Sequence, residues 1–195
     1  MIVQLYAPVT AAVVKSPSDQ ILKILQINIL EPNQNYKEVV DLVRAQAPDI
    51  VSFEEVGLEW GKELGANLTE YPFKQLYPEE GFFGLAIFSK FPIKAERIVL
   101  SKLGIPILRA EIDLNGSKLN YVAVHTLPPV EPTYFADRNE EMTQLAVMSK
   151  SMQGPIILAG DFNCTPWSNA FGRLCRDGNL RDSEQSFGPQ PSWPS

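Results

Sequence analysis

Hydrophobic and polar positions along the first 56 residues predict a strand, a helix and a second strand. Residues 21–30 are rich in aliphatic and β-branched side chains, a pattern typical of a largely buried strand. An apolar stripe at helical spacing follows over residues 36–47, and either Asn33 or Asn35 could cap that helix. A second strand is predicted at residues 49–56. The short links between these elements indicate a βαβ-like unit.

The rest of the chain predicts a β-rich middle that is followed by helices. A helix at residues 58–68 is weakened by two glycines. Asn115-Gly116 is a strong hairpin signal, so the neighbouring strands should be antiparallel. The predicted strands are residues 85–89, 95–100, 107–114, 118–124 and 155–159, and the later helices are residues 135–152 and 168–176. This mixture predicts two sheets packed face to face, with helices outside.

The first 20 residues have the character of a flank or linker before a domain that spans residues 21–195. Residues 1–14 are apolar, but this stretch is too short and too interrupted to cross a bilayer. No basic region precedes it, as a secretory signal would require. The segment at residues 15–20 has the composition of a linker, which places the start of the domain near Ile21.

Composition restricts the chemistry more than it restricts the fold. The 195 residues are 45% hydrophobic and 21% charged, which fits one ordinary globular domain. The net charge of −6 argues against a broad basic face, so charge does not indicate a nucleic-acid partner. A single histidine and two cysteines exclude a zinc finger and a multi-histidine metal centre. Carboxylate and amide oxygens would therefore have to bind any metal, and two cysteines leave the cellular compartment open.

Polar side chains stand at the ends of four predicted strands, where rigid scaffolds present catalytic groups. These residues are Asn28, Glu55, His125, Asp161 and Asn163. Asp161 and Asn163 are two positions apart, so a continued strand would point both side chains the same way. Such carboxylate and amide groups suit Mg²⁺ that is held partly through water, with a phosphate oxygen beside it.

Each of these residues also has an ordinary structural explanation. Gly-Asp-x-Asn is a common turn sequence, and Glu55 fits a solvated carboxylate at a strand end. Asn28 could make only a structural hydrogen bond, and His125 fits a satisfied core or rim histidine.

Four further side chains have both functional and ordinary explanations. Cys164 fits a small rim residue better than a nucleophile, because no neighbouring cation lowers its pKa. Trp60 and Trp167 could stack a substrate ring, although packing is the usual role of large aromatics. Arg138 could reach a substrate phosphate or be a solvated helix residue.

Five segments together resemble the endonuclease/exonuclease/phosphatase superfamily, which has the deoxyribonuclease I-like fold. In the order of that family they are Leu25–Ile29, Pro48–Val56, Gly84–Pro92, Val122–His125 and Gly154–Asn163. The resemblance covers residues 21 to about 182. It implies an α/β (α+β) fold, a four-layer α/β/β/α sandwich of two mixed sheets.

The resemblance also implies a role for each strand-end residue. Glu55 matches the family's metal-binding glutamate, and Asn28 matches the asparagine that completes the metal and phosphate network. His125 matches a residue that contacts the scissile phosphate. Asp161 matches the acid that orients or activates the attacking water, and Asn163 matches its phosphate-binding neighbour.

The implied activity is hydrolysis of a phosphodiester or phosphomonoester by metal-assisted attack of water, with Mg²⁺ or Mn²⁺ as cofactor. The family's usual glutamine before the metal-binding glutamate is Glu54 here. Which phosphoester is cleaved stays open, because specificity in this family lies in loops and charge. The acidic net charge favours a small phosphoester or a lipid headgroup over duplex DNA.

One departure from the family concerns the end of the sequence. The family's late-strand aspartate and its Ser-Asp-His motif have no counterpart after Asp182, and the final residues resemble a segment that precedes those strands in a bacterial branch. Members of that branch commonly carry membrane helices. We therefore expect a fold incomplete at its C-terminal strands, impaired activity, and a membrane tether in a longer form of the protein.

Two further expectations follow from such a piece. The chain alone should be soluble, and an uncovered strand edge should promote self-association.

The alternative function is a non-catalytic binding or scaffold domain that retains the fold. In that case, alanine at Glu55 and at Asp161 would leave folding and partner binding nearly unchanged.

Overall fold

Two four-stranded sheets form the framework of the computed structural model, which describes residues 21–100 and 102–185. The first half of the described chain contributes β1 (Ile24–Asn28), α1 (Tyr36–Gln46), β2 (Ile50–Glu54), α2 (Leu58–Asn67), β3 (Phe73–Tyr77) and β4 (Leu85–Ser89). The second half contributes β5 (Ile93–Val99), β6 (Pro106–Leu114), β7 (Ser117–His125), α3 (Pro132–Ser151), β8 (Ile156–Asp161) and α4 (Asn169–Asp177). The expected flank at residues 1–20 lies outside the described residues.

Both sheets mix parallel and antiparallel neighbours. The first has the order β1-β2-β4-β3, with β1 and β2 parallel, which confirms the predicted βαβ unit. The second has the order β5-β6-β7-β8, with only β7 and β8 parallel. The Asn115-Gly116 turn joins β6 to β7 with positive φ at both residues, as its sequence predicts.

Three apolar clusters make the molecule a four-layer α/β/β/α sandwich, and this confirms the predicted fold class. The outer cluster of the first sheet packs α1 and α2 against β2 and β4 through residues that include Val43, Phe53 and Trp60. The middle cluster joins the two sheets through residues that include Ile87 and Leu108. The third packs α3 and α4 against the second sheet.

Gly160 brings β8 unusually close to β7. Its φ is +143°, and a Cβ atom built there would lie 1.8 Å from the carbonyl oxygen of Val124. Only glycine fits that position without displacing the backbone. The close approach places Asp161 opposite His125 in the parallel register.

The observed elements differ from the predicted ones at several places. Strand β3 was not predicted, because its Phe-Lys-Gln-Leu-Tyr sequence is half-exposed and pairs with β4 alone. Helix α3 begins at Pro132, where proline is favoured in the first turn, and not near residue 135. Strand β5 covers Ile93–Val99, not residues 95–100. Asn35 takes the N-cap position of α1, but its side chain makes no capping hydrogen bond.

Two further observations concern surfaces of the sandwich. In the two described sheets, β1, β3, β5 and β8 are edge strands. Self-association through an edge stays a prediction. None of the helices in the described ranges combines the length and apolar character needed to cross a bilayer.

Candidate active site

The carboxyl ends of β1, β2, β7 and β8 meet at one edge of the sandwich, because the parallel pairs of both sheets end there. This edge brings together four of the predicted residues, Asn28, Glu55, His125 and Asp161. Two come from the first sheet and two from the second.

Asn28 lies between two carboxylates at the centre of this edge. Its Nδ2 donates to Glu55 Oε1 at 2.8 Å and lies 3.4 Å from Asp161 Oδ2. Its Oδ1 accepts a hydrogen bond from the backbone N–H of Leu30 at 3.0 Å, which fixes the orientation of the amide. A single side chain of β1 thus links the end of β2 to the end of β8.

Glu55 takes its position from a break in the strand pattern. The residue has φ of +61°, a left-handed conformation that is uncommon for a non-glycine residue and clusters at functional sites. Its Oε2 accepts from the backbone N–H of Glu31 at 3.1 Å, and the side chain is almost fully buried. The turn therefore directs Glu55 towards Asn28 and Asp161, and its role as a metal ligand stays a prediction.

Glu54 points into the protein instead. Its carboxylate is fully buried, and Oε2 accepts from the side-chain amide of Gln26. Its Oε1 finds no hydrogen-bond partner in the described chain. Burial raises the pKa of Glu54 to about 8, and the negative charges of Asp161 and Glu55 add to the increase.

His125 presents one ring nitrogen to the centre. Its Nδ1 lies 2.8 Å from the backbone carbonyl of Phe82, and a carbonyl only accepts, so this nitrogen carries the proton. Its Nε2 then faces Glu55 Oε1 at 3.9 Å, too far for a hydrogen bond. The ring of Phe83 tilts against the imidazole with 5.4 Å between centroids.

The expectation that strand geometry continues from Asp161 to Asn163 is wrong. Asn163 has φ of +46°, and its backbone N–H donates to Asp161 Oδ1 at 2.8 Å, so the chain turns. The side-chain amide of Asn163 donates to the backbone carbonyl of Thr126 at 2.7 Å. Asn163 therefore ties the end of β8 to the end of β7, and its phosphate-binding role stays a prediction.

Arg138 is not a solvated helix residue, because only 3% of it is exposed. Its Nη1 donates to the backbone carbonyl of Asn163 at 2.6 Å, and its guanidinium lies 4.8 Å from the centre of the Phe135 ring. Three residues later, Glu141 Oε2 accepts from the backbone N–H of Leu127 at 3.1 Å. Both loops that follow β7 and β8 are thus held by α3.

The sequence analysis did not predict that α3 supports these loops, although the pattern of residues along the helix indicates it. Arg138 and Glu141 share a helix face with the buried Met142 and Leu145, at spacings of three, four and seven residues. Charged side chains on the apolar face of a helix need hydrogen-bond partners, because burying an unpaired charge is costly. Here the partners are backbone groups of the loops after β7 and β8.

The three side chains with packing alternatives also have definite positions. Trp60 is buried in the first outer cluster and donates its indole N–H to the backbone carbonyl of Asn33 at 2.9 Å. Trp167 is half-exposed in the loop after β8. Cys164 is partly buried, and burial raises the pKa of its thiol, which opposes a nucleophilic role.

Comparison with family models settles the relationship that the five segments suggested. The model described as "Endonuclease/Exonuclease/phosphatase family" matches residues 25–195. The chain belongs to this family. No curated protein sequence matches it significantly.

Solved structures with the same fold are similar to this endonuclease/exonuclease/phosphatase family member at low sequence identity. A β-hairpin deletion mutant of beta toxin from Staphylococcus aureus has a TM-score of 0.66 at 22% identity, covering 84% of this chain and 75% of that one. Sphingomyelinase C from Streptomyces griseocarneus has a TM-score of 0.64 at 17% identity, covering 84% and 70%. A humanized D. rerio TDP2 has a TM-score of 0.62 at 18% identity, covering 83% and 68%.

The centre of this family member has the donor chemistry for a hard divalent cation. Within the described ranges, no group of three or more histidine, cysteine, aspartate or glutamate side chains is arranged to hold a metal ion, so any cation here would depend on two carboxylates and an amide. Glu55 and Asp161 converge on Asn28, and no described lysine or arginine forms an ion pair with either carboxylate. Mg²⁺ is usually held by one or two carboxylates, with water and substrate phosphate completing its shell, so these residues fit it.

Proposed function

We propose that this family member is a divalent-metal-dependent phosphoesterase that uses Mg²⁺ or Mn²⁺. The observation that carries the proposal is the convergence of Glu55 and Asp161, from opposite sheets, on one asparagine with no lysine or arginine paired to either in the described chain. Two carboxylates this close, without a basic partner, favour a cation between them and a phosphate. The substrate is a phosphodiester or a phosphomonoester.

Glu55 and Asn28 would hold the cation, Glu55 through a carboxylate oxygen and Asn28 through Oδ1. When bound, the cation polarises the phosphoryl group and neutralises the charge that develops on its oxygens. The backbone N–H groups that bond to these two side chains keep their oxygens oriented.

Asp161 and His125 perform the proton chemistry in this proposal. Asp161 takes a proton from the attacking water as the water oxygen bonds to phosphorus and the bond to the leaving oxygen breaks, and the leaving oxygen takes up a proton from solvent. The Nδ1–H group of His125 donates to the backbone carbonyl of Phe82, so Nε2 faces the centre. When both ring nitrogens carry a proton, Nε2 can donate to a phosphoryl oxygen of the substrate. Asn163 positions both groups through its turn and its bond to Thr126.

Thermal unfolding with and without millimolar Mg²⁺ or Mn²⁺ tests the metal site directly. We expect the metal to raise Tm, because a ligand that binds only the native state stabilises it by about 2.7 kcal/mol at a hundred times Kd. For a chain of this length, each kcal/mol corresponds to roughly 2–4 °C. Glu55→Ala should abolish the shift.

The matched control is Glu59→Ala, which removes an exposed carboxylate on α2 that is paired with Lys62. It should keep the full metal-dependent shift. An equal shift in both variants would show that the cation binds elsewhere. Absence of Mg²⁺- or Mn²⁺-dependent hydrolysis of bis(p-nitrophenyl) phosphate and of p-nitrophenyl phosphate would contradict the proposed activity.

A further inference from the structure

Large apolar side chains are concentrated at the edge that carries the candidate active site. Five of them form what we term the apolar rim: Leu30, Phe82, Val130, Phe135 and Trp167. They lie in or beside the loops that follow β1, β3, β7 and β8. Their exposure ranges from 49% at Phe82 to 73% at Val130, whereas most large apolar residues of the described chain are buried or partly buried.

Three of the five rim residues are linked to the site by short contacts. Leu30 donates its backbone N–H to Asn28, and the backbone carbonyl of Phe82 accepts from His125. The ring of Phe135 lies against the guanidinium of Arg138, which in turn bonds to the end of β8. The rim therefore borders the edge at which Glu55 and Asp161 converge, so a surface that covers the rim would lie beside these carboxylates.

The loops at this edge carry little positive charge, and Lys102 in the loop between β5 and β6 is the exception. Five of them contain neither lysine nor arginine: residues 29–35, 55–57, 78–84, 126–131 and 162–168. Lys37 and Lys62, on the helices that follow, are each paired with a carboxylate of their own helix. A nucleic acid needs basic side chains along its phosphates, so this edge is poorly suited to a polyanion.

Four carboxylates outside the centre give the same loops an acidic character. Glu31 lies in the loop after β1, Glu79 and Glu80 lie in the loop after β3, and Glu131 lies in the loop after β7. Of these, Glu79 is paired with Arg97 of β5. Acidic side chains beside apolar ones complement an ammonium group beside hydrocarbon. A phospholipid with a choline or ethanolamine headgroup has this chemistry, and it also contains a phosphodiester.

An exposed apolar rim beside a polar centre marks a surface that binds a partner or a membrane, because monomeric soluble proteins rarely expose a large contiguous apolar patch.

We propose that the apolar rim docks on a zwitterionic phospholipid surface and that the substrate is a phospholipid of that surface. This proposal rests on the proposed phosphoesterase function, which it narrows to one substrate class. The rim side chains enter the apolar region of the lipid, while the acidic loop residues contact its ammonium groups. The phosphodiester is then presented to Glu55 and Asp161.

Vesicle pelleting tests the docking step independently of hydrolysis. The whole chain is mixed, without divalent metal, with phosphatidylcholine vesicles or with vesicles that also contain phosphatidylglycerol. The test variant is Val130→Ser with Trp167→Ser. The matched control is Leu42→Ser with Val147→Ser, which removes comparably exposed apolar side chains from the outer faces of α1 and α3. Thermal unfolding verifies that both variants are folded.

We expect the chain to bind phosphatidylcholine vesicles, with little effect of 0.5 M NaCl and no gain from phosphatidylglycerol. The rim variant should lose at least about tenfold in partitioning, and the control should stay within about twofold. No binding by the unmodified chain, equal losses in both variants, or a requirement for the anionic lipid would overturn the proposal.

Hydrolysis separates this proposal from the one on which it rests. With Mg²⁺ or Mn²⁺ added, release of phosphate-containing headgroup from phosphatidylcholine is compared with cleavage of bis(p-nitrophenyl) phosphate. Cleavage of the soluble ester without vesicle binding would refute the lipid proposal alone. Vesicle binding without cleavage of any phosphoester would refute the phosphoesterase function, and the lipid would then not be a substrate.

Discussion

Two consecutive glutamates show how strongly single residues depend on local backbone geometry. Glu54 ends β2 with its side chain inward and paired with Gln26, whereas Glu55 turns to the centre through a left-handed conformation. One carboxyl is kept from water, and the other converges with Asp161. The same side chain thus supplies a buried acid at one position and a candidate metal ligand at the next.

The raised pKa of Glu54 predicts that stability falls as pH rises. Below pH 4.5 the Glu54 carboxyl is protonated in both the folded and the unfolded protein. Between pH 4.5 and about 8 it stays protonated in the folded protein but is ionised in the unfolded protein. The free energy of unfolding therefore decreases across this window, with about 1.4 kcal/mol for each unit of pKa difference, or a few kcal/mol in all. Glu54→Gln should flatten the dependence and stabilise the protein at pH 8.

Urea unfolding at pH 5 and pH 8, without divalent metal, measures this effect. Glu59→Gln serves as the control, because this carboxylate is exposed on α2. A Glu54→Gln variant whose stability falls between the two pH values as steeply as that of the unmodified chain would show that Glu54 is already ionised at pH 5.

At the scale of elements, α3 is the support for the second half of the site. Its buried face carries Arg138 and Glu141, which bond to the backbone of the loops after β8 and β7. Neither charge reaches the centre directly. The helix therefore controls where His125 and Asp161 lie, because the loops that follow these residues are bonded to it.

Replacing Arg138 should affect turnover more than substrate affinity. In Arg138→Met the carbonyl of Asn163 loses its donor, and loss of a buried charge-assisted hydrogen bond costs about 1.5–3 kcal/mol of stability. A displaced Asp161 would lower kcat with little change in KM, because the cation and phosphate contacts of Glu55 remain. Steady-state hydrolysis and thermal unfolding measure both effects.

Two further variants separate positioning from general loss of stability. Arg138→Lys keeps a donor near Asn163 and should recover part of kcat. Arg176→Met removes an exposed arginine of α4 that is paired with its neighbour Asp177, and it should change neither kcat nor stability. A rise in KM without a fall in kcat for Arg138→Met would instead indicate that Arg138 binds substrate.

The elements were predicted from the sequence more completely than their contacts. Periodicity located β1, β2 and α1, and the strand-end rule placed Asn28 and Glu55 at one edge. The half-exposed edge strand β3 has no such pattern, so its pairing with β4 was not foreseen.

Contacts made by backbone groups were the least accessible to sequence reasoning. The carbonyl that holds the proton of His125 belongs to Phe82, and any residue could supply it. The left-handed turn at Asn163 replaced the expected strand because bonds to Asp161 and Thr126 satisfy both its backbone N–H and its side-chain amide.

At the scale of the whole molecule, a buried pair of hydroxyl groups lies in the mainly apolar interface between the two sheets. Ser52 Oγ and Tyr121 Oη lie 2.7 Å apart, one from each sheet, within the sandwich. Such a hydrogen bond fixes how the sheets register on each other, because a lateral shift would leave both groups unpaired in a dry interior.

Tyr121→Phe should therefore destabilise the fold by about 1–2 kcal/mol, because Ser52 keeps a buried, unpaired hydroxyl. Adding Ser52→Ala should cost less than the sum of the two single changes. A double-mutant cycle by urea unfolding measures the coupling. Strict additivity of the single effects would mean that the hydroxyl pair does not hold the sheets together.

The order of strands along the chain has a consequence for how the site comes into existence. All strands of the first sheet precede residue 90 and all strands of the second follow residue 92, so the described chain crosses between them once. Each half carries an incomplete set, with Asn28 and Glu55 in one and His125 and Asp161 in the other. A ligand that contacts both Glu55 and Asp161 bridges the two sheets. Its binding therefore stabilises the packing of one sheet on the other, and well-packed sheets in turn bind the ligand more tightly.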